Sequence, residues 1–321
     1  MLVIEYDRYF DTVIKTVAYA EVFGCSLRWQ ELKRYPLTNL HPIDHTKLFL
    51  IWQELQNNLD FFKCFPSQQS SMQANSNLFF HQPPFDQTVI ENFNSALQAI
   101  TWWRWLPWIE GVWVTGGLAV GQAAPTDDID FMIVTKSNSL WLTRLLITLI
   151  GVVVGKQRRH WTNLSKSGGS WCCNLWLEED QLALDARKDQ SLFTAREIVQ
   201  AIPVYAANRQ IIDNWLTSNI WVKKYTHPGW WSARSRYQFV LPLPPLLSFT
   251  PGYHFFWSLI ARLLNPLAHQ VQLKYMKLHR KGKEKITYKQ AYFHPKSLAP
   301  IVQAKYETIL ESWKKTYAQE K

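Results

Sequence analysis

One stretch constrains this chain more than any other: Val114-Thr-Gly-Gly-Leu-Ala-Val-Gly-Gln-Ala-Ala-Pro-Thr-Asp-Asp-Ile-Asp-Phe-Met-Ile-Val134. Apolar and β-branched runs at residues 112–115 and 129–135 flank a loop containing Gly116, Gly117, Gly121 and Pro125, a pattern of two short strands joined by a turn-rich connection. Asp128 and Asp130 are one residue apart at the start of the second run, so both carboxylates project from the same strand face. Two like charges that close repel each other, and a divalent cation held by both removes the cost. Mg²⁺ takes carboxylate oxygens together with substrate phosphates. Gly116-Gly117 lacks side chains, which lets backbone N–H groups come close to a phosphate. A phosphate-cradling loop about ten residues from paired carboxylates suits one chemistry, metal-assisted in-line attack on a nucleoside triphosphate.

The rest of the composition is compatible with that chemistry. At 321 residues the chain is long enough for two or three domains, and 47% hydrophobic with 19% charged residues excludes a disordered polyampholyte. A net charge of +10 favours an anionic partner such as nucleic acid, a nucleotide or a membrane surface. Four cysteines, two of them adjacent at Cys172 and Cys173, are too few for a disulfide framework, and reduced thiols in the cytoplasm are expected. No Cys-x-x-Cys pair or His-Glu-x-x-His motif points to zinc. The N-terminus lacks the apolar run of a signal peptide, and the longest apolar stretch, residues 145–155 between Arg144 and Lys156, is too short to span a bilayer. It reads as a buried helix, and no membrane partner is expected.

Three regions are expected. In residues 1–85, apolar periodicity predicts a helix over 9–22, a short one near 27–32 and a third capped by Asp44. Aromatic-rich segments at 60–65 and 78–81 then suggest a two-stranded ribbon, although the same order also fits a helical cap on the next domain. Residues 86–227 alternate strands and helices: a helix over 87–106, the two strands above, a helix over 139–154, strands at 171–177 and 182–184, and a helix opened by Thr194-Ala-Arg-Glu197 read as a capping box. Residues 228–321 are helical and basic, with a long helix near 253–278 and a final one near 300–317.

The order apolar-Gly-Gly, ten residues, then Asp128-Ile-Asp130-Phe131 resembles the signature of the nucleotidyltransferase superfamily, the DNA polymerase β-like fold. The resemblance rests on about twenty residues and implies an α/β (α+β) domain, a mixed sheet with helices, across about a third of the chain. It implies that Thr115, Gly116 and Gly117 bind the triphosphate, that Asp128 and Asp130 are catalytic and hold Mg²⁺ or Mn²⁺, and that a nucleoside monophosphate passes to a hydroxyl acceptor. The N-terminal region resembles, in order and in Thr16-Val-Ala-Tyr19, the winged-helix modules that precede some members.

The chain departs from the family pattern at the third carboxylate. Asn174 stands on the corresponding strand, on the face expected for Cys172 and Trp176, and Asp185 at the end of the next strand is the alternative. Glu178, Glu179 and Asp180 read as a solvated turn. Lys156, Arg158, Arg159 and His160 form a basic cluster after the motif helix, suited to phosphates or to a solvated loop. Residues 274–296 hold eight basic residues against one acid, Glu284, interleaved with Tyr275, Tyr288, Tyr292 and Phe293, a composition suited to single-stranded nucleic acid. The sequence therefore supports an enzyme and, as the alternative, a binding protein of the same fold that regulates without turnover.

Overall fold

The computed structural model describes residues 2–27, 29–34, 36–38, 40, 42–58, 61, 64–68, 87–121, 123–156, 169–184, 191–226, 240, 251–279, 285–293 and 299–318. Helices α1 (Leu2–Val22), α2 (Trp29–Arg34) and α3 (His45–Gln56) come first. Asp44 caps α3 as expected, its carboxylate accepting from the Thr46 and Lys47 amides. Then come α4 (Gln87–Trp103), β1 (Ile109–Val114), the one-turn α5 (Gly116–Ala119), β2 (Ile129–Thr135), α6 (Leu140–Val153), β3 (Trp171–Glu178), α7 (Leu192–Gln200), β4 (Ile202–Ala206) and α8 (Gln210–Ser218). The last elements are α9 (Pro251–His279), which runs on through Pro266, the short strands β5 (Lys285–Ile286) and β6 (Gln290–Tyr292), and α10 (Ala299–Ala318).

The strands form one mixed sheet in the order β4-β1-β2-β3-β6-β5, so the protein is a mixed α/β structure. Only β2 and β3 run parallel, and α6 makes the crossover between them, as a parallel pair requires. Every other pair is antiparallel. Alternation along β2 separates two cores. Phe131 and Ile133 enter a core with Trp103 of α4, Trp141 of α6 and Ala261 of α9. Met132 and Val134 enter the opposite core, with Ala195 and Ile198 of α7 and Trp215 of α8. Asp130 shares the parity of Met132, so it belongs to the face covered by α7.

A third core ties the two ends of the chain together. Val13, Val17, Ile51 and Trp52 pack with Phe61, Phe65 and, from α10, Tyr306 and Trp313. The last 94 residues thus do not gather around one centre where they are described: α9 packs on α6, β5 and β6 extend the sheet, and α10 lies along α1.

Several local expectations are corrected. Phe61 and Cys64 are helical rather than extended, and the Phe65 amide reaches the Phe61 carbonyl at 2.9 Å, so the first ribbon segment is a helical turn; the second, 78–81, lies outside the described residues. Residues 182–184 form no strand, because the Leu184 amide and Leu182 carbonyl are satisfied by the Asn219 side chain. The apolar stretch of α6 is buried along one side only, since Val153 is 85% exposed. Among the described residues no helix is long and apolar enough to cross a membrane.

Candidate active site

The site is assembled where β1 ends. The chain turns at Thr115 into α5, and Gly116 takes φ +64°, the left-handed region that a side chain makes costly. A Cβ at Gly116 would also sit 2.5 Å from Asp130 Oδ2, well inside contact distance. Glycine is therefore needed twice over at this position. The Thr115 amide donates to the Asp130 carbonyl at 2.9 Å and locks the turn to β2 backbone to backbone. Asp128 stands two residues earlier, across the fully buried Ile129. The loop before it closes on itself, with Asp127 Oδ2 accepting from the Ala124 amide at 2.8 Å. The structure thus brings Thr115, Gly116 and Gly117 beside the start of β2, which carries Asp130 and directly follows Asp128.

Asn174 reaches the same place through an irregularity. Asp130 pairs with Cys172 and Phe131 with Cys173, but Met132 pairs with Leu175, so β3 carries one extra residue, Asn174. The bulge resets the alternation. Trp176 enters the α4 core on the far face, not the face of Asn174 as regular alternation would have it. Asn174 Nδ2 donates to Asp130 Oδ1 at 2.5 Å, and the Cys172 thiol donates to Asn174 Oδ1 at 3.0 Å, which orients the amide. Asn174 therefore acts here as a hydrogen-bond donor to Asp130. Asp185, Arg158, Arg159 and His160 lie outside the described residues. Lys156 is described: its carbonyl accepts from the Trp171 amide at 2.8 Å, which brings it to the end of the sheet where β2 begins.

A carboxylate that the sequence assigned elsewhere lies within electrostatic reach of Asp130. Ser191, not Thr194, caps α7, its hydroxyl accepting from the Thr194 amide at 3.1 Å. The helix therefore starts three residues before the expected capping box, and Glu197 sits beyond the first turn with no amide to cap. The first turn of α7 already contains a Ser-x-x-Thr cap, a signal that the stronger-looking Thr-x-x-Glu pattern outranked. Burial raises the Glu197 carboxyl to about 7, the Asp130 charge pushes the same way, and Arg196 opposes both. Glu178, expected in a solvated turn, is fully buried at the end of β3 and accepts from the Ser139 amide at 3.2 Å, at the start of α6.

Among the described residues no group of three or more His, Cys, Asp or Glu side chains is arranged to hold a metal ion. Mg²⁺ asks for less than that. It takes one or two carboxylates, keeps several waters and completes its shell with substrate phosphates. Two hard oxygen donors beside a glycine turn fit that requirement, and Asp128 with Asp130 are the residues that would supply them. No protein family, curated protein or solved structure matches this chain.

The aromatic residues of the basic stretch are largely used inside the fold. Asn265 donates to the Tyr288 hydroxyl at 2.9 Å, Arg144 stacks 4.2 Å over Phe293, and Lys289 is paired with Asp180. Lys274 and Lys277 form no ion pair among the described residues, and Tyr275 is 52% exposed.

Proposed function

We propose that this chain is a metal-dependent nucleotidyltransferase whose mixed sheet is of the nucleotidyltransferase-like kind, transferring a nucleoside monophosphate from a nucleoside triphosphate to a hydroxyl acceptor in the cytoplasm. The observation that supports it best is the closure of the Gly116 turn on Asp130, with glycine required both by φ and by the carboxylate's approach. In this reading the backbone N–H groups of Gly116 and Gly117 hold phosphate oxygens, and Thr115, whose own N–H is bound to the Asp130 carbonyl, offers its hydroxyl. Asp128 and Asp130 hold Mg²⁺ or Mn²⁺, which when bound neutralises charge on the phosphates and on the leaving group. Lys156 adds a cation at the same end of the sheet. Glu197, whose carboxyl titrates near neutrality, takes the proton of the acceptor hydroxyl. Catalysis comes mainly from positioning and charge complementarity.

One observation favours a second reading. The Asn174 amide occupies an oxygen of Asp130 where a third carboxylate would otherwise strengthen the negative shell. On that reading the protein binds nucleotide, and nucleic acid through Lys274, Lys277 and Lys285, as a regulator without turnover. Labelled ATP, CTP, GTP and UTP offered with Mg²⁺ and a broad panel of hydroxyl acceptors separate the two. The enzyme reading expects label transfer with release of pyrophosphate, abolished by EDTA. Nucleotide bound without transfer to any acceptor favours the regulator.

A further inference from the structure

A cavity of about 580 Å³ opens between α1, the residues Leu37, Thr38 and Leu40, the first turn of α7, the segment Ile220–Lys224 and α10. Its walls contain Arg8, Lys15 and Lys224, with the hydroxyls of Thr38, Ser191 and Tyr306. The one acid of the lining, Asp11, is already bound by Lys15, four residues on along α1, at 2.5 Å. Arg8 and Lys224 form no ion pair among the described residues. Two cations without an ion-pair partner among the described residues thus line one space from elements far apart in the chain. Like charges facing a partly enclosed cleft repel, and the cleft focuses their potential, so an anion seated between them lowers the free energy. The N-terminal end of α7 adds the positive end of its dipole to the same wall. The volume lies in the range of small-molecule sites.

We propose that this cavity is a binding site for a phosphate-bearing small molecule, separate from the Gly116 turn. Paired cations and hydroxyls match phosphate, whose oxygens accept several charge-assisted hydrogen bonds at once. None of its lining residues belongs to the Thr115–Gly117 or Asp128–Asp130 set. The two places are nevertheless joined by α7, whose Leu192 lines the cavity while Glu197, roughly 8 Å further along the helix axis, senses Asp130.

Inorganic pyrophosphate titrated calorimetrically into the full chain in EDTA tests the site without metal at Asp128 and Asp130. The wild type binds saturably, Asp130→Ala binds equally well, and Arg8→Gln with Lys224→Gln weakens binding about tenfold or more. Both residues are exposed, so the double variant melts at the wild-type temperature without ligand. Lys224→Glu alone, which reverses one charge, also removes the melting shift that pyrophosphate gives the wild type. No saturable binding, undiminished binding by the charge variants, or loss in Asp130→Ala only would overturn the proposal. Failure of nucleotidyl transfer leaves these outcomes unaffected, because no step of the titration uses turnover.

Discussion

The Gly116 turn and the cavity beside α1 are both polar clefts, yet they are made in opposite ways. The turn comes from one stretch of chain between β1 and β2, closed by the backbone hydrogen bond from the Thr115 amide to the Asp130 carbonyl. The cavity draws its walls from α1, α7 and α10, and depends on α10 returning from the end of the chain to pack Tyr306 and Trp313 into the N-terminal core. Asn174 and Glu197 stand between these extremes, delivered to Asp130 by a bulge and by a helix that starts one turn early. Groups set by local pairing tolerate little change in geometry, whereas groups delivered from elsewhere can be exchanged while the turn itself survives.

The largest effect is expected at the locally made site. Asp130→Ala removes a proposed metal ligand and the acceptor of Asn174 Nδ2. Mg²⁺-dependent binding of nucleoside triphosphate should fall on the order of 100-fold or more, to the level seen in EDTA, with the fold retained. Equal, metal-independent affinity in both proteins would remove the metal assignment. Gly116→Ala comes next. It combines a positive φ with a Cβ pressed on Asp130 Oδ2, so thermal unfolding should show a loss of about 2–4 kcal/mol, with weakened nucleotide binding. An unchanged melting temperature would mean the turn is looser than its geometry states.

The delivered groups should give smaller and more conditional effects. Asn174→Asp replaces a donor by a second carboxylate at hydrogen-bond distance from Asp130. Without metal it should destabilise the protein by about 1–3 kcal/mol, and Mg²⁺ should restore the loss, because a shared cation offsets like charges. Melting curves with and without Mg²⁺ read this directly, and a loss that Mg²⁺ leaves in place would separate Asn174 from the metal site.

Glu197→Gln should act through pH. The folded-state carboxyl titrates at about 7 against 4.5 for the ordinary group, so it contributes stability below pH 4.5 that is lost as pH rises to 7. Gln does not titrate. Measured without metal, the variant should match wild type near pH 4 and exceed it by about 3 kcal/mol at pH 8. If Glu197 is also the proton acceptor, the same variant loses turnover while keeping nucleotide affinity. A pH-independent difference would show that Glu197 is not buried against Asp130.

Elements with strong local signals were legible in the sequence. The Asp44 cap, the helix through 140–153 and strand β2 at Ile129–Thr135 follow from spacing and burial alone. Strands β4, β5 and β6 were not foreseen. They are five, two and three residues long, β4 contains Pro203, and their pairing is decided by neighbours rather than by their own composition. Glu178 was misread as solvated for a related reason. Nothing in Glu-Glu-Asp tells which acid will meet the amides at the start of α6.

What the sequence determined by itself is the Gly116 turn with its two aspartates. There, alternation along one strand and the conformational freedom of glycine act within twenty residues, and few folds satisfy both. What only the tertiary structure decided is the company those aspartates keep: the amide of Asn174, the carboxyl of Glu197, and the cations Arg8 and Lys224 facing one cavity from distant parts of the chain. A one-residue bulge and a one-turn shift in a helix start cost little free energy locally. They are therefore fixed not by propensity but by how the sheet, α7 and α10 pack together.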